Sequence, residues 1–298
     1  MRGEKIIYGI VYFFVWIHAI LPLRVLYVFA DILYLPLYYI VRYRRKIVRE
    51  NLENSFPDKD QKEIVKIEKQ FYRHFCDYFF ETIKLLHISD EEMKRRFVFK
   101  NMTVLEEKIK NGNSAIQMLG HYGNWEWVTS ITLWSNDPET VFAQIYRPLR
   151  NSVSDRFFTN LRKRFHSVGF TKNGALREIV RHKRSGKKMM IGFISDQKPS
   201  LNNIHYWTRF LNQDTAILTG AERIAKQTGF IVGYLDVKRL GRGYYEVDMK
   251  VISDDPVATG ENEITERYAR LMEETILRDP ARWLWTHNRW KHKKQPVT

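Results

Sequence analysis

The residues with the clearest chemical potential are Gly120-His121-Tyr122-Gly123-Asn124-Trp125-Glu126, which follow the apolar run Ala115–Leu119. That run is typical of a buried strand, and the residues after it predict a glycine-flanked turn and then a helix over Asn124–Trp134. A histidine at a strand end can act as a general base, and a carboxylate five residues later can orient its ring. His121 and Glu126 are therefore candidate catalytic residues.

The spacing alone is weak evidence, because His87 and Glu92 repeat it. There the run Ser89-Asp90-Glu91-Glu92 is typical of a helix N-cap followed by an acidic first turn. The position after a strand favours His121, since ligands and catalytic groups gather at strand ends in α/β proteins.

Charged residues also follow two other predicted strands. Arg147 comes directly after Val141–Tyr146, and Asp196 and Lys198 come after Met189–Ser195. Arg147 could hold a phosphate in a bidentate manner. Asp196 could orient an imidazole, so the residues leave open which of Glu126 and Asp196 does so. Each of these charges, taken alone, could equally form a surface ion pair.

These residues can come together only if the predicted strands form one sheet, with helices connecting the strands along the chain. Further strands are predicted over Phe230–Val237 and Tyr244–Ile252, paired across Gly241-Arg242-Gly243. The helices are predicted over Asp58–Leu86, Ser89–Phe97, Val104–Lys110, Ser152–His166, Ala175–Lys183, Leu218–Thr228 and Glu263–Leu277. This alternation predicts an α/β fold with a mostly parallel central sheet wrapped by helices.

The composition points to an anionic partner. The 298 residues carry a formal net charge of +15, which favours nucleic acid, a phospholipid surface or an acidic protein over an uncharged partner. A basic surface without a specific partner is the alternative. The single Cys76 excludes an internal disulfide, fits a reducing compartment and, beside Phe75 and Phe79, is predicted to be a core thiol. The CxxC, Walker A and Gly-x-Ser-x-Gly patterns are absent, which argues against the sites that they form.

The N-terminal part has the composition of a membrane-associated helical segment. Ile6–Leu21 and Val25–Val41 are apolar and aromatic, with basic residues before the first and from Arg42 to Arg49 after the second. Two short segments with basic ends favour a hairpin dipping into one leaflet, with a tilted single span or an ordinary buried helical hairpin as alternatives. Residues 1–43 are predicted to be the membrane anchor and residues 44–298 the catalytic domain.

A last motif combines aromatic and basic residues, Pro280-Ala281-Arg282-Trp283-Leu284-Trp285-Thr286-His287-Asn288-Arg289-Trp290-Lys291. Its rings could stack on nucleic-acid bases, or they could pack under the sheet.

Taken in order, these motifs resemble the late acyltransferases of lipid A biosynthesis, the lauroyl/myristoyl transferase family of the lysophospholipid acyltransferase group. The resemblance covers nearly the whole chain. It rests on the apolar N-terminal segment and on five short motifs: Arg45-x2-Val48-x2-Asn51-Leu52, Gly120-His121-x-Gly123-Asn124-Trp125-Glu126, Tyr146-Arg147-Pro148, Asp196-Gln197 and Trp285-x-His287-x-Arg289-Trp290-Lys291. The loop from Lys198 to Arg209 departs from the family pattern, which leaves the acceptor and the acyl length open.

The resemblance implies transfer of a fatty acyl chain from acyl carrier protein to a hydroxyl of a lipid A precursor, at the cytoplasmic face of the inner membrane. His121 would be the base, with Glu126 or Asp196 as its partner, and no covalent acyl-enzyme, cofactor or metal is expected. Asn124, Arg147 and Lys198 are predicted to bind substrate. An anionic membrane surface is the further predicted partner, and the clusters Arg162-Lys163-Arg164 and Arg181-His182-Lys183-Arg184 are candidate docking sites for the carrier protein.

Two other functions remain open. One is an acyltransferase that uses a lysophospholipid or an aminolipid, with acyl-CoA as a possible donor. The other is a membrane-tethered nucleic-acid-binding protein, which no helix-turn-helix, RNP or zinc-finger pattern supports, so nucleic acid is not expected as a partner.

Overall fold

The computed structural model describes residues 2–110 and 113–294, without the side chains of residues 2–7, 10 and 11. The predicted basic flank at Arg2 and Lys5 lies outside the described side chains. The strands are β1 (Phe97–Lys100), β2 (Ala115–Leu119), β3 (Val141–Tyr146), β4 (Val168–Thr171), β5 (Met189–Ile194), β6 (Trp207–Phe210), β7 (Gln213–Ala216), β8 (Ile231–Gly241) and β9 (Tyr244–Ser253).

Within the described ranges, seven strands form one sheet in the order β1-β9-β8-β2-β5-β3-β4, and β6 pairs with β7 in a separate hairpin. Strands β8, β2, β5, β3 and β4 run parallel to one another, while β9 is antiparallel to β8 and β1 is parallel to β9. The predicted mostly parallel α/β sheet and the β8–β9 pairing are confirmed. Because β2, β5 and β3 are adjacent and parallel, the loops that follow them meet at one edge of the sheet.

Helices cover both faces of this sheet. They are α1 (Arg2–Ile20), α2 (Leu23–Leu35), α3 (Arg45–Ser55), α4 (Gln61–Lys84), α5 (Asp90–Arg96), α6 (Met102–Ile109), α7 (Ser152–Arg162), α8 (Ala175–Arg184), α9 (Gly220–Thr228) and α10 (Glu263–Arg278). On one face Tyr234 of β8 reaches Thr275 of α10, with 2.7 Å between their hydroxyl oxygens. On the other face Tyr245 of β9 packs edge-on against Trp127.

Helix α4 connects the N-terminal helices to the edge of the sheet where the loops after β2, β5 and β3 meet, called the catalytic edge here because the candidate catalytic residues follow these strands. It begins with a capping box in which Asp60 accepts from the Glu63 N–H at 2.8 Å and Glu63 accepts from the Asp60 N–H at 3.1 Å. Its 24 residues span about 36 Å. A helix of this length can contact α2 along one side and still carry buried polar side chains to the turn after β2.

The N-terminal helices combine a buried face with an exposed apolar face. Helix α2 buries Leu26, Tyr27 and Tyr34 in the same core as the sheet. Arg242, in the β8–β9 turn, donates to Asp31 of α2 at 3.0 Å and to Asp77 of α4 at 2.6 Å. These contacts join α2 to the rest of the protein on one side only.

The other side of these helices is apolar and faces outward. Large hydrophobic side chains with more than a third of their surface exposed include Phe13, Phe14, Ile17, Ile20, Val25, Val28, Ile32, Leu35 and Ile40. Among the described residues, Leu23–Ile40 is the one helical stretch that could cross a membrane by length and composition alone, with a mean hydropathy of 1.5 and a third of it buried in the protein. The role of residues 1–43 as the anchor, and the choice between span and hairpin, remain predictions.

Several short elements differ from the sequence prediction. The helix expected over Asn124–Trp134 is wrong in type and start, because a turn comes first and a 3-10 helix follows over Trp127–Trp134. The Thr129 hydroxyl donates to the Glu126 carbonyl at 2.9 Å, a local bond that competes with regular α-helical pairing. Helix α3 and the four-residue strands β1, β4, β6 and β7 were not predicted, since four residues show too little alternation to stand out.

Candidate active site

His121 lies two residues beyond the end of β2, and Asp196 lies two residues beyond the end of β5. The register of these parallel strands pairs Leu119 with Ile194, so the two side chains start from equivalent positions on adjacent strands. The His121 Nδ1 lies 2.7 Å from one carboxylate oxygen of Asp196, and the His121 backbone N–H donates to the other at 2.9 Å. Asp196 therefore fixes both the position and the orientation of the imidazole.

The Asp196 carboxylate is buried and accepts a third hydrogen bond. The indole Nε1–H of Trp283 donates to its Oδ2 at 2.7 Å. Burial alone would raise the pKa of Asp196, but His121 and Trp283 stabilise the anion and lower the pKa to about 2. At neutral pH the carboxylate is charged, so the favoured tautomer of His121 carries its proton on Nδ1.

This tautomer leaves the His121 Nε2 as a hydrogen-bond acceptor. The side-chain amide nitrogen of Gln197 lies 3.2 Å from it, and the Trp125 ring stands edge-on to the imidazole at 5.1 Å between centroids. The histidine side chain keeps 18% of its surface exposed, so an incoming group can approach this nitrogen. Gln197 was not singled out from the sequence, although it adjoins Asp196 in the quoted Asp-Gln pair.

Glu126 has a different partner from the one its spacing suggested. It is buried, and its two oxygens accept from the Nε and Nη2 of Arg162 on α7 at 2.8 and 2.6 Å. This bidentate ion pair ties the catalytic turn to α7. In this structure Asp196, not Glu126, is the carboxylate bonded to His121.

Asn124 shapes the turn from inside the protein. Its side chain is fully buried, its amide nitrogen donates to Glu81 at 2.8 Å, and its amide oxygen accepts from the Trp127 N–H at 3.2 Å. Glu81 also accepts from Tyr27 of α2 and Tyr245 of β9, each at 2.9 Å. With both ends of its amide engaged, Asn124 supports the turn rather than offering a group to a substrate in this conformation.

Gly123 is required by its backbone geometry. Its φ of +60° lies in the left-handed region, and an added Cβ would stand 3.1 Å from Val237 and 3.3 Å from Tyr245. Its N–H donates to the Arg282 carbonyl at 3.0 Å. That N–H is therefore occupied by the C-terminal segment and is not open to a substrate in this structure.

The C-terminal aromatic motif completes the site from beneath. Trp283 forms an antiparallel bridge with Tyr122, and the Leu284 N–H donates to the His121 carbonyl at 3.1 Å. Trp283, Trp285 and Trp290 are almost fully buried. Of the two interpretations of this motif, the structure supports packing inside the protein, because these three rings are buried in the core and have no open face for stacking bases.

The comparison with known families agrees with this geometry. The family model for bacterial lipid A biosynthesis acyltransferases matches residues 4–292. The chain belongs to this family. It is also similar to a lipid A biosynthesis acyltransferase of Haemophilus influenzae, with 24% identity over 258 residues that cover 86% of this chain and 80% of that protein. The chain is thus an acyltransferase of lipid A synthesis, as the motifs implied.

In this acyltransferase the predicted acceptor-binding cations lie at the catalytic edge. Arg147 is exposed in the loop after β3, which is adjacent to β5. Lys198 is half-buried, and its backbone N–H donates to His287 at 3.2 Å. Burial lowers the pKa of His287 to about 4, so this histidine is a neutral acceptor at physiological pH.

Two predictions of a structural rather than a catalytic role are also confirmed, for the Ser89 helix cap after His87 and for the core thiol of Cys76. Ser89 caps α5 by accepting from the Glu92 N–H at 3.1 Å, while His87 packs against Trp16 of α1 at 5.3 Å between ring centroids. Cys76 is buried, and burial raises the pKa of its thiol to about 12, which makes it an inert core residue.

Proposed function

We propose that the protein transfers a fatty acyl chain from an acyl carrier protein thioester to a hydroxyl of a lipid A precursor, with His121 as general base. The observation that carries this proposal is the buried, charged Asp196 bonded to the His121 Nδ1, which leaves Nε2 free to accept a proton.

In the proposed step the acceptor hydroxyl takes the place of the Gln197 amide beside the His121 Nε2. The hydroxyl oxygen attacks the thioester carbonyl while its proton passes to Nε2, and Asp196 stabilises the imidazolium that forms. The C–S bond then breaks, the new ester remains, and the proton passes to the departing thiolate. A base held in this way accelerates transfer about 10²–10⁴-fold. No acyl-enzyme is required, because the histidine activates the acceptor itself.

Glu126 is proposed to act through position. By holding Arg162 it fixes the turn that carries His121 against α7, so its loss would displace the base without changing the tautomer. Arg147 and Lys198 are proposed to bind an acceptor phosphate, since both cations follow strands that end at the catalytic edge.

The proposal of a carrier-protein donor is supported by exposed positive charge on the protein surface. Of the cluster Arg162-Lys163-Arg164, Arg162 pairs with Glu126 and Arg164 pairs with Asp90 at 2.8 Å, which leaves Lys163 as the exposed cation. In the second cluster, at the end of α8, Lys183 donates to the Thr228 carbonyl at the end of α9, whereas Lys163 adjoins Arg162, which is bonded to Glu126 in the turn after β2. A carrier protein that delivers its thioester to His121 is therefore expected to dock near Lys163 rather than on α8.

The exposed apolar face of α1 and α2 supports a location at the inner membrane with the catalytic domain on the cytoplasmic side. Helix α2 is joined to α4 and the sheet, so that face would hold the active site close to lipid acceptors. This arrangement suits a reaction between a soluble donor and a membrane-embedded acceptor.

The direct test uses the purified full chain in detergent with a phosphorylated lipid A precursor. Acyl-ACP and acyl-CoA are supplied separately, and the products are identified by mass spectrometry beside a His121→Ala control. Ester formation from acyl-ACP by the wild type alone is expected. Transfer only from acyl-CoA, transfer only to lysophospholipid, or a covalently acylated protein after rapid quenching would each overturn part of the proposal.

A further inference from the structure

A basic cleft lies beside α3, and none of the residues proposed for catalysis or acceptor binding lines it. Its volume is about 470 Å³, and its lining consists of Arg42, Arg45, Lys46, Arg49 and Glu68. Four cations face a single carboxylate, so the cleft retains a strong positive charge. None of the roles assigned to His121, Arg147 or Lys198 uses it.

The arginines of this basic cleft are held in place by a buried acid. Glu68 is fully buried and accepts from the Tyr38 hydroxyl at 2.7 Å, from the Arg45 Nε at 3.0 Å and from the Arg49 Nε at 2.6 Å. The Arg45 guanidinium also lies over the Tyr38 ring, 4.4 Å from its centroid. Both arginines are thus bound through Nε, and in the described part of the chain their terminal nitrogens have no protein acceptor. Two pre-organised guanidinium groups of this kind suit a phosphate.

The backbone adds to the same preference for an anion. Arg45 is the first residue of α3, which follows Arg44 in the left-handed region at φ 53°. The helix has no side-chain cap and no acidic residue in its first turn. The Arg45 N–H donates to the Arg42 carbonyl at 3.0 Å, so the positive end of the helix dipole begins among the residues that line the cleft, where an anion would be stabilised.

The basic cleft begins where the apolar surface ends. Tyr39, Ile40 and Val41 expose 49%, 79% and 66% of their surface, and Arg42 is the next residue. A lipid whose acyl chains lie against these apolar side chains would carry its phosphate to the level of the cleft. The change from apolar to cationic within one residue is what an interface between hydrocarbon and headgroups requires.

We propose that the basic cleft binds the phosphate of an anionic glycerophospholipid, such as phosphatidylglycerol, as a site separate from the acceptor. The lipid is a structural partner of the protein and takes no part in acyl transfer. Arg45 and Arg49 contact the phosphate through their terminal nitrogens, while Arg42 and Lys46 close the outer side of the cleft.

The first test measures binding of the full chain to vesicles of phosphatidylcholine, with and without phosphatidylglycerol. The variant R42Q/K46Q removes two outer cations and leaves the Glu68 pairs intact. The matched control R177Q/K187Q removes two exposed cations from α8 and the loop before β5. At low salt the first variant should bind anionic vesicles about 30-fold more weakly, while the control should stay within about 3-fold of wild type. Equal losses in the two variants would show diffuse attraction and overturn a built site.

The second test counts lipids on the detergent-solubilised protein by native mass spectrometry. The wild type and the control should retain one phosphatidylglycerol in preference to phosphatidylcholine, and R42Q/K46Q should not. Inorganic phosphate is added as a separate arm, and binding of phosphate that displaces the lipid completely at millimolar concentration would assign the cleft to a free anion instead.

Transfer activity on detergent-dispersed acceptor separates this proposal from the proposed function. The R42Q/K46Q variant should keep wild-type activity there, because the basic cleft is outside the catalytic edge. If that activity falls while vesicle binding is unchanged, the cleft holds the acceptor and the proposal is wrong. If the wild type has no transferase activity but still retains the lipid, the proposed function fails and the lipid site stands.

Discussion

The substitution Asp196→Asn tests the catalytic pair with little change in shape. Asp196 Oδ2 accepts two N–H donors, from the His121 backbone at 2.9 Å and from Trp283 at 2.7 Å, so the single oxygen of an asparagine must take this position. Its amide nitrogen then occupies the position of Oδ1 and donates toward the His121 Nδ1. The imidazole is forced to carry its proton on Nε2, where it can no longer accept one.

The expected loss in kcat is about 10²–10⁴-fold, equivalent to about 3–5 kcal/mol of transition-state stabilisation. Initial rates of acyl transfer measure it, and nitrogen NMR of the histidine ring reports the tautomer. The matched control is Glu126→Gln, which breaks the pair with Arg162 but leaves the His121–Asp196 bond. It should lower the rate and the thermal stability without inverting the tautomer. If Asp196→Asn keeps a tenth of wild-type activity while Glu126→Gln loses nearly all, Glu126 is the true partner and the reasoning from geometry is refuted.

The lowered pKa of the Asp196 carboxylate predicts that the free energy of unfolding depends on pH in the acid range. The pKa of Asp196 falls from its ordinary value of 3.8 to about 2 in the folded protein, a difference worth about 2 kcal/mol. Because the folded pKa is the lower one, this stabilisation is fully present above about pH 4 and is lost as pH falls toward 2. Denaturant unfolding of wild type and Asp196→Asn should therefore differ by a constant free energy near neutral pH and converge below pH 4. A difference that stays constant down to pH 2 would contradict the assigned pKa.

Three further outcomes are expected. His121→Ala should abolish transfer and leave folding intact, whereas His87→Ala should leave the transfer rate within about 3-fold of wild type, because that ring only packs against a helix. If the rate assay shows the opposite effects, His121 is not the catalytic histidine. Arg147→Ala should raise KM for a phosphorylated acceptor more than for the donor, and equal sensitivity of mutant and wild type to removal of the phosphate would count against phosphate binding. Deleting residues 1–22 should weaken vesicle binding but permit folding. Deleting residues 1–43 should prevent folding, because each large buried side chain of α2 contributes about 1.5–3 kcal/mol to stability. Circular dichroism of the two truncated chains shows whether α2 serves only as an anchor or is part of the core.

The catalytic pair shows how far sequence reasoning reaches. Both His121 and Asp196 could be located as strand ends, because long apolar runs precede them. Choosing Asp196 over Glu126 required the register between β2 and β5, and no local pattern encodes that register. The partner of Glu126 lies on α7, 36 residues away, so proximity in sequence could not identify it.

Some elements of the fold could be predicted from the sequence and others could not. The long strands and helices were predictable because their periodicity extends over many residues, as in α4 and β8. The turn at Asn124 and the 3-10 helix after it were not, because a buried acid, Glu81, and a hydroxyl bond at Thr129 determine the backbone there. The contribution of Trp283 to the active site was also hidden, since the tryptophans of its motif look alike in the sequence and only one of them contacts Asp196.

The bridge between Trp283 and Tyr122 means that the active site is completed by the last part of the described chain to be synthesised. In chain order the segment 280–290 follows every strand of the described sheet, yet it supplies the N–H donor that stabilises the Asp196 anion and the N–H that holds the His121 carbonyl. During vectorial synthesis on the ribosome, the sheet can therefore assemble while the catalytic pair is still unfinished. A nascent chain would hold all of these strands before its base is positioned, and a nonsense mutation shortly before residue 280 would also remove three buried tryptophans, so the truncated protein is expected to be less stable as well as inactive.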